Sequence, residues 1–226
     1  MISGVLFDLD GTLLDCIEPL ARSFTRSLEN FGSTVTDEGR QNVGGHVSKI
    51  ISTRSRFFGL VSLWRLMGYL GVPLLKRPLL IILSVNELKV IASSCNTFNG
   101  VLQVLDTLSG KGIKMGVVTT RSRKETVKIL RRLSMEKYFQ VVVTRDDVHR
   151  GKPYPDPVLL AVKKLAIVPA EAIMVGDMPT DIQAGKLAGT KTAGLTESLF
   201  RKELIDSKPD YLLASITEFP QLLDVL

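Results

Sequence analysis

Short apolar runs of strand length recur along the chain and alternate with segments of helical periodicity. The runs are rich in Val, Ile and Leu and mostly lack polar alternation, as is typical of strands buried on both faces. They span residues 2–8, 114–119, 140–144, 172–176, 191–194 and 211–214. Helices are predicted between the later runs, at 100–108, 124–133, 157–166, 179–188 and 197–207. This alternation predicts an α/β fold with a doubly wound parallel sheet.

One long interval breaks the alternation early in the chain. Roughly 90 residues separate the first predicted strand from the next core segment, which is far longer than an ordinary connection. The residues between them include apolar positions at helical spacing. We therefore predict two domains, a core made of residues 1–14 and 96–226 and an α-helical cap inserted at residues 15–95.

The predicted cap contains an unusually apolar segment, residues 57–85. Of these 29 positions, 19 are apolar. Arg65, Lys76 and Arg77 interrupt them, so no run reaches the ~18 residues of a membrane-spanning helix. We expect cap helices whose apolar faces pack inward. The alternative is a surface that contacts a membrane or a partner protein.

The net charge of +6 is concentrated in the predicted cap. Residues 39–86 contain seven Lys and Arg residues and no Asp or Glu. A cationic surface attracts anionic partners such as phosphorylated metabolites, nucleic acid or acidic lipid. The charge alone leaves the choice among these partners open.

The composition is that of a globular protein. The 226 residues are 45% apolar and 23% charged, which excludes a disordered chain and allows a sizeable core. No basic segment precedes the first apolar run, as one would in a signal peptide, and we expect a cytoplasmic protein. Two histidines and two cysteines are too few for a structural zinc site or a disulfide framework.

The two cysteines, Cys16 and Cys95, flank the predicted cap. The two chain crossings between an inserted cap and its core must lie side by side, so the sulfur atoms can be close despite their separation in sequence. A bridge there would restrain cap opening. In a reducing cytoplasm we expect two separate, buried, reduced thiols instead.

Two carboxylates follow the first predicted strand, in the run Asp8-Leu9-Asp10-Gly11-Thr12. Side chains two apart on a strand face the same side, so Asp8 and Asp10 converge if the extended geometry persists to the strand end. Converging carboxylates stay ionised only beside a cation, for which Mg²⁺ is the natural candidate. The alternative is a plain Asp-Gly turn after a strand.

A second pair of carboxylates follows the predicted strand 172–176. Pro179 suits the first turn of the next helix. Asp177 and Asp181 are four residues apart and can face the same crevice. The alternative is that both carboxylates only cap the helix.

Two further polar residues stand near predicted element ends. Thr119 ends the run 114–119, where its hydroxyl can donate to a phosphoryl oxygen, although threonine is common at strand ends. Lys152 precedes Pro153 in a turn that also holds Pro155, and the two prolines restrict the chain that presents it. A solvated surface charge is the alternative for this lysine.

These four motifs, in this order, resemble those of the haloacid dehalogenase (HAD) superfamily, specifically its phosphatases with a helical cap inserted after the first strand. The family pattern is DxDG[TV], a hydrophobic strand ending in Thr or Ser, a Lys, and GDxxxD. This chain supplies Asp8, Asp10, Thr119, Lys152, Asp177 and Asp181. The stretch 98–119 also resembles phosphoglycolate-phosphatase-like members. The resemblance covers nearly the whole chain and implies a Rossmann-like core.

The resemblance implies a Mg²⁺-dependent phosphatase acting on a small organic phosphomonoester, with phosphoglycolate as one candidate substrate. Asp8 would attack phosphorus and form an aspartyl-phosphate, and Asp10 would be the general acid and base. Thr119 and Lys152 would bind the phosphoryl oxygens, assisted by the Thr120 amide.

The resemblance also implies a metal site. Mg²⁺ would be held by Asp8, the Asp10 carbonyl and Asp177, where it would offset repulsion between nucleophile and phosphate. Asp181 would have a supporting role, orienting metal waters or Lys152.

Substrate specificity in this family comes from the cap. Residues 42–48 resemble the glycine-bearing cap loop that faces the active site, which makes Gly45 and His46 candidate substrate-binding residues. A plain interhelical turn is the alternative. Residues 14–20 offer neither the His nor the Trp of β-phosphoglucomutase-like members, so we expect a phosphatase rather than a mutase.

Two alternatives remain open. The first is a catalytically silent phosphate-binding or interaction protein on the same scaffold. The second is a phosphatase docked to a membrane or a partner through its apolar, basic cap. We expect a small phosphorylated metabolite as the partner, no nucleic acid, and a monomer or homodimer.

Overall fold

The computed structural model describes residues 1–16, 77–78, 95–197 and 201–226. The chain divides into two compact units, one made of Met1–Leu14 and Asn96–Leu226 and the other of Asp15–Cys95. The predicted cap helices, including most of 57–85, and the loop with Gly45 and His46 lie outside the described residues. Within the described ranges, no helix is long and apolar enough to span a membrane.

Six strands form one parallel sheet in the order β5-β4-β1-β6-β7-β8. The strands are β1 (Gly4–Phe7), β2 (Leu14–Asp15), β3 (Asn96–Thr97), β4 (Lys114–Val118), β5 (Val141–Val143), β6 (Ala172–Gly176), β7 (Lys191–Leu195) and β8 (Tyr211–Leu213). The predicted parallel α/β fold is confirmed. Strands β2 and β3 pair with each other; at two residues each, they are too short to produce a sequence pattern.

The described helices connect and flank these strands. They are α1 (Val101–Gly110), α2 (Arg123–Arg132), α3 (Asp156–Leu165), α4 (Pro179–Ala188), α5 (Arg201–Asp206) and α6 (Phe219–Asp224). The first four agree with the predicted helices to within two residues at each end. The fifth lies inside the predicted helix 197–207, and the six-residue α6 is too short to show helical periodicity.

The core forms around β1, whose four residues are all buried. Helix α3 packs against β4 and β5, and α4 packs against β6 and β7. Leu6, Met174 and Val162 belong to one apolar cluster between these layers. Each such buried side chain contributes roughly 1.5–3 kcal/mol. The end of the chain joins the core through Phe219, whose ring lies 5.9 Å from that of Phe7, edge to face.

The strand order places a topological switch point at β1. From β1 the chain proceeds to β4 and β5 on one side of the sheet and later to β6, β7 and β8 on the other. The connections leave a crevice beyond the carboxyl ends of β1, β4 and β6, which is where open parallel sheets bind ligands.

The two cysteines form a disulfide, with Cα atoms 5.2 Å apart. The expectation of two separate thiols is therefore wrong. Cys16 directly follows β2 and Cys95 directly precedes β3, and these strands pair with each other. The local pairing brings the cysteines together, an effect that a prediction from cellular compartment leaves out.

Candidate active site

The chain turns sharply after the first strand and leaves two carboxylates at its end. The Asp8 amide donates to the Val175 carbonyl of β6 at 2.9 Å, which continues the sheet by one residue. Gly11 has φ 81°, a left-handed conformation that other residues rarely adopt. The turn keeps Asp8 buried and Asp10 half-buried at the edge of the sheet.

Lys152 lies between two of the carboxylates. Its ammonium nitrogen is 2.8 Å from Asp8 Oδ1 and 2.6 Å from Asp181 Oδ1, and its side chain is 3% exposed. It also donates to the Val118 carbonyl at the end of β4, at 3.0 Å. This lysine therefore links the ends of β1 and β4 to the first turn of α4 from a buried position, and the surface-charge alternative is excluded.

The second pair of carboxylates comes from the start of α4. Asp177 is fully buried, and the buried Thr12 hydroxyl donates to its Oδ1 at 3.3 Å. Asp181 accepts the Met178 amide at 3.1 Å, so it caps the helix as well as contacting Lys152. A Cβ at Gly176 would lie 2.3 Å from Asp181 Cβ, so glycine is required for this close approach.

Asp10 faces a different cation, Arg121. The guanidinium forms a two-pronged contact, with Nε 2.7 Å from Asp10 Oδ2 and Nη2 2.5 Å from Oδ1. The Arg121 amide in turn donates to Thr119 Oγ1 at 3.2 Å. Thr119 is buried and Thr120 beside it is half-buried.

Sequence reasoning assigned no role to Thr12 or Arg121. Thr12 closes the Asp-Gly-Thr run and Arg121 directly follows the two threonines after β4, so adjacency to the motifs was the available signal. Both residues lie in turns after strands. Periodicity predicts which way a side chain points in a strand or helix but gives no direction in a turn.

Burial and charge together set the protonation of the site. Burial raises the pKa of Asp8 to about 7, although the neighbouring Lys152 charge opposes that rise. Burial disfavours the charged form of Lys152, but the charges of Asp181 and Asp8 outweigh it and raise the pKa of the ammonium group above its ordinary value. The lysine is therefore fully charged at neutral pH.

Three of the carboxylates form a cluster suited to a metal ion. One carboxylate oxygen of each of Asp8, Asp177 and Asp181 lies within 4.8 Å of the other two. With Asp10, this part of the described structure holds four carboxylates against two cations, Lys152 and Arg121. Buried oxygen ligands in a site with more carboxylates than cations fit a hard divalent cation.

The sequence-predicted residues thus fall into two groups. Asp8, Lys152, Asp177 and Asp181 converge, while the carboxylate of Asp10 turns to Arg121. The predicted metal set used only the Asp10 carbonyl, which is compatible with this side-chain orientation.

Comparison with known proteins identifies the family. Residues 5–195 match the model of the haloacid dehalogenase-like hydrolases. The chain belongs to this family. It is 34% identical over 222 residues to the pyrophosphatase PpaX of Bacillus pumilus, covering 96% of this chain and 94% of that protein. It is 32% identical over 231 residues to the phosphoglycolate phosphatase of Escherichia coli O157:H7, covering 96% and 90%.

Solved structures share the fold of this chain. A Thermotoga maritima protein assigned as a β-phosphoglucomutase superposes with a TM-score of 0.77 at 27% identity, over the full length of both chains. A HAD family hydrolase from Deinococcus radiodurans, solved with phosphate and sodium, has a TM-score of 0.80 at 22% identity, covering 99% of this chain and 96% of that one. This HAD-like chain is therefore an enzyme, a hydrolase of the phosphatase type.

Proposed function

We propose that this HAD-like enzyme is a Mg²⁺-dependent phosphomonoesterase that hydrolyses a small organic phosphate through an aspartyl-phosphate on Asp8. The observation that carries the proposal is the position of Asp8. It is buried at the switch point of the sheet, 2.8 Å from the Lys152 ammonium and within a cluster of carboxylates. Relatives named phosphatase and pyrophosphatase support the same class of reaction.

In the first step, an Asp8 oxygen bonds to phosphorus while the bond from phosphorus to the ester oxygen breaks. Asp10 donates the proton that the leaving oxygen takes up. Thr119, the Thr120 amide and Lys152 bind the phosphoryl oxygens as their charge shifts during transfer. The products are an alcohol and phosphorylated Asp8.

In the second step, a water oxygen bonds to phosphorus while the bond from phosphorus to Asp8 breaks. Asp10, now a carboxylate, takes the proton that the water releases. Inorganic phosphate leaves and Asp8 is regenerated. One difficult displacement is thereby divided into two easier ones.

Asp8, Asp177 and the Asp10 carbonyl would hold Mg²⁺, with Asp181 supporting them. When bound, the cation offsets the repulsion between the Asp8 carboxylate and the phosphate dianion. Among the described residues of the site, the four carboxylates facing two cations support a divalent ion.

The test is hydrolysis of p-nitrophenyl phosphate with and without Mg²⁺, after treatment with EDTA. The wild type is expected to turn over only with Mg²⁺, and Asp8→Asn is expected to lose at least about 1,000-fold in kcat, because the amide is a very poor nucleophile. Asp224→Asn is the matched control, since Asp224 is 63% exposed and outside the site. Activity of Asp8→Asn near that of the control would contradict the mechanism.

Substrate identity needs a panel of phosphorylated metabolites. We propose that a small phosphomonoester such as phosphoglycolate gives the highest kcat/KM. Pyrophosphate belongs in the panel because a relative is named a pyrophosphatase, and β-glucose 1-phosphate tests mutase activity. Preference for pyrophosphate, or formation of glucose 6-phosphate, would contradict the choice of a monoester hydrolase.

We also propose that the protein works in the cytoplasm on small phosphorylated metabolites. Cell fractionation, with the protein detected by an antibody, tests this location. Recovery of the protein mainly in the membrane or the secreted fraction would contradict it.

A further inference from the structure

Arg121 is a buried cation that contacts the Asp10 carboxylate. Its side chain is 6% exposed. Its Nε and Nη2 atoms contact both oxygens of Asp10, at 2.7 and 2.5 Å. An Arg–carboxylate contact of this two-pronged kind fixes the plane of the carboxyl group as well as its position.

The backbone of Arg121 is itself held on both sides. Its amide donates to Thr119 Oγ1 at 3.2 Å, and its carbonyl accepts the Arg145 amide at 3.2 Å. The following residue, Ser122, is the N-cap of α2 and accepts the Glu125 amide. The guanidinium is therefore presented from a fixed backbone that also orients the predicted phosphate-binding Thr119.

We infer that Arg121 is a positioning residue that holds the Asp10 carboxyl group in the orientation needed for proton transfer. The inference rests on the proposed function, because it requires Asp10 as the general acid and base. In the first step the Asp10 proton passes to the ester oxygen as that oxygen leaves phosphorus. In the second, a water proton passes to Asp10 as the water oxygen bonds to phosphorus.

Each transfer requires an Asp10 oxygen within hydrogen-bond distance of the oxygen that it serves. A misplacement of about 1 Å can cost on the order of 100-fold in rate. Lysine at position 121 would keep the charge but lack the planar two-pronged geometry. Arg121→Lys is therefore expected to restore only part of the activity lost in Arg121→Gln.

The chain offers a matched control in Arg123. Its Nη2 contacts both carboxylate oxygens of Asp147, at 2.7 Å each. That side chain is 45% exposed and Asp147 lies outside the predicted site. Arg123→Gln thus removes a similar Arg–Asp pair from a neighbouring position without touching Asp10.

The experiment compares two esters that differ in their need for a proton. p-Nitrophenolate is a good leaving group, whereas the alkoxide of glycerol phosphate must be protonated as it departs. The quantity measured is kcat/KM, which covers the steps up to release of the alcohol. The inhibition constant of inorganic phosphate separately measures how tightly the site binds a phosphoryl group.

For Arg121→Gln we expect kcat/KM to fall about 100-fold for glycerol phosphate and at most about 10-fold for p-nitrophenyl phosphate. Arg121→Lys should lie between this variant and the wild type, and Arg123→Gln should stay within about 2-fold of the wild type. The inhibition constant of inorganic phosphate should change less than about 3-fold in all of them. Arg121→Gln should also have no further effect in an Asp10→Asn background.

Equal losses on both esters, or an additional loss in the Asp10→Asn background, would overturn the inference and leave the proposed function standing. If Arg121→Gln does not fold, Arg121→Lys takes its place. A larger loss in kcat/KM for glycerol phosphate than for p-nitrophenyl phosphate then supports the inference, and equal losses overturn it. A wild type that hydrolyses neither ester with Mg²⁺ would overturn the proposed function and the inference together.

Discussion

Replacing Lys152 by methionine would leave Asp8 and Asp181 facing each other in a buried site without the ammonium group that now lies between them. The nitrogen is 2.8 and 2.6 Å from the two carboxylates and 3.0 Å from the Val118 carbonyl, with 3% of the side chain exposed. Removing one partner of a buried ion pair costs about 3–5 kcal/mol, because the remaining charge is left uncompensated.

Part of that cost depends on pH. The pKa of Asp8 is already raised to about 7 by burial, and loss of the lysine charge raises it further. Near pH 6 the carboxyl group takes up a proton and relieves the repulsion, whereas at pH 8 more of the charge remains. The loss of stability in Lys152→Met should therefore be larger at pH 8 than at pH 6.

Urea unfolding followed by circular dichroism, in metal-free buffer, measures this loss. Lys111→Met is the matched control, because Lys111 pairs with Asp224 at the surface and both side chains are well exposed. Such a pair contributes at most about 1 kcal/mol. Mg²⁺ should recover part of the stability of Lys152→Met by offsetting the repulsion between the Asp8 and Asp181 carboxylates. If both methionine variants lost the same small amount, the buried link between Asp8 and Asp181 would be refuted.

Three further outcomes are expected. Asp177→Ala should weaken Mg²⁺ binding in calorimetry together with activity, and unchanged Mg²⁺ affinity would exclude Asp177 as a ligand. Without metal, the free energy of unfolding should fall as pH rises from about 4 to 7, because folded Asp8 holds a proton that the unfolded chain has already released. Mg²⁺ should then raise Tm more at pH 8 than at pH 5, and a larger rise at pH 5 would contradict this. Reductant should lower the free energy of unfolding of the oxidised wild type by about 4 kcal/mol and leave that of a Cys16→Ala/Cys95→Ala double variant unchanged. The same change in both proteins would argue against the bridge.

The sheet and the position of its polar residues could be predicted from the sequence. Buried parallel strands read as continuous Val, Ile and Leu runs, and their carboxyl ends share one edge. Residues that directly follow those runs, such as Asp8 and Asp177, therefore had to lie near one another. Their convergence required no knowledge of side-chain conformation.

The contacts made by turns could not be predicted in the same way. The two-pronged contact of Arg121 with Asp10 depends on the backbone path between β4 and α2, which no periodic pattern specifies. Asp181 illustrates a different limit, because facing the crevice and capping the helix are alternatives in the sequence pattern, although this one carboxylate does both.

The Cys16–Cys95 bridge also changes the length of chain that must close when the core forms. Gly4 pairs with Lys114 in the sheet, and about 110 residues separate them along the unbridged chain, whereas the path through the bridge is about 30 residues. Loop-closure entropy grows with the logarithm of path length, so the shortcut lowers the cost of pairing β1 with β4 by about 1 kcal/mol. With the bridge formed, the length of the insertion no longer enters the entropy of closing the central sheet.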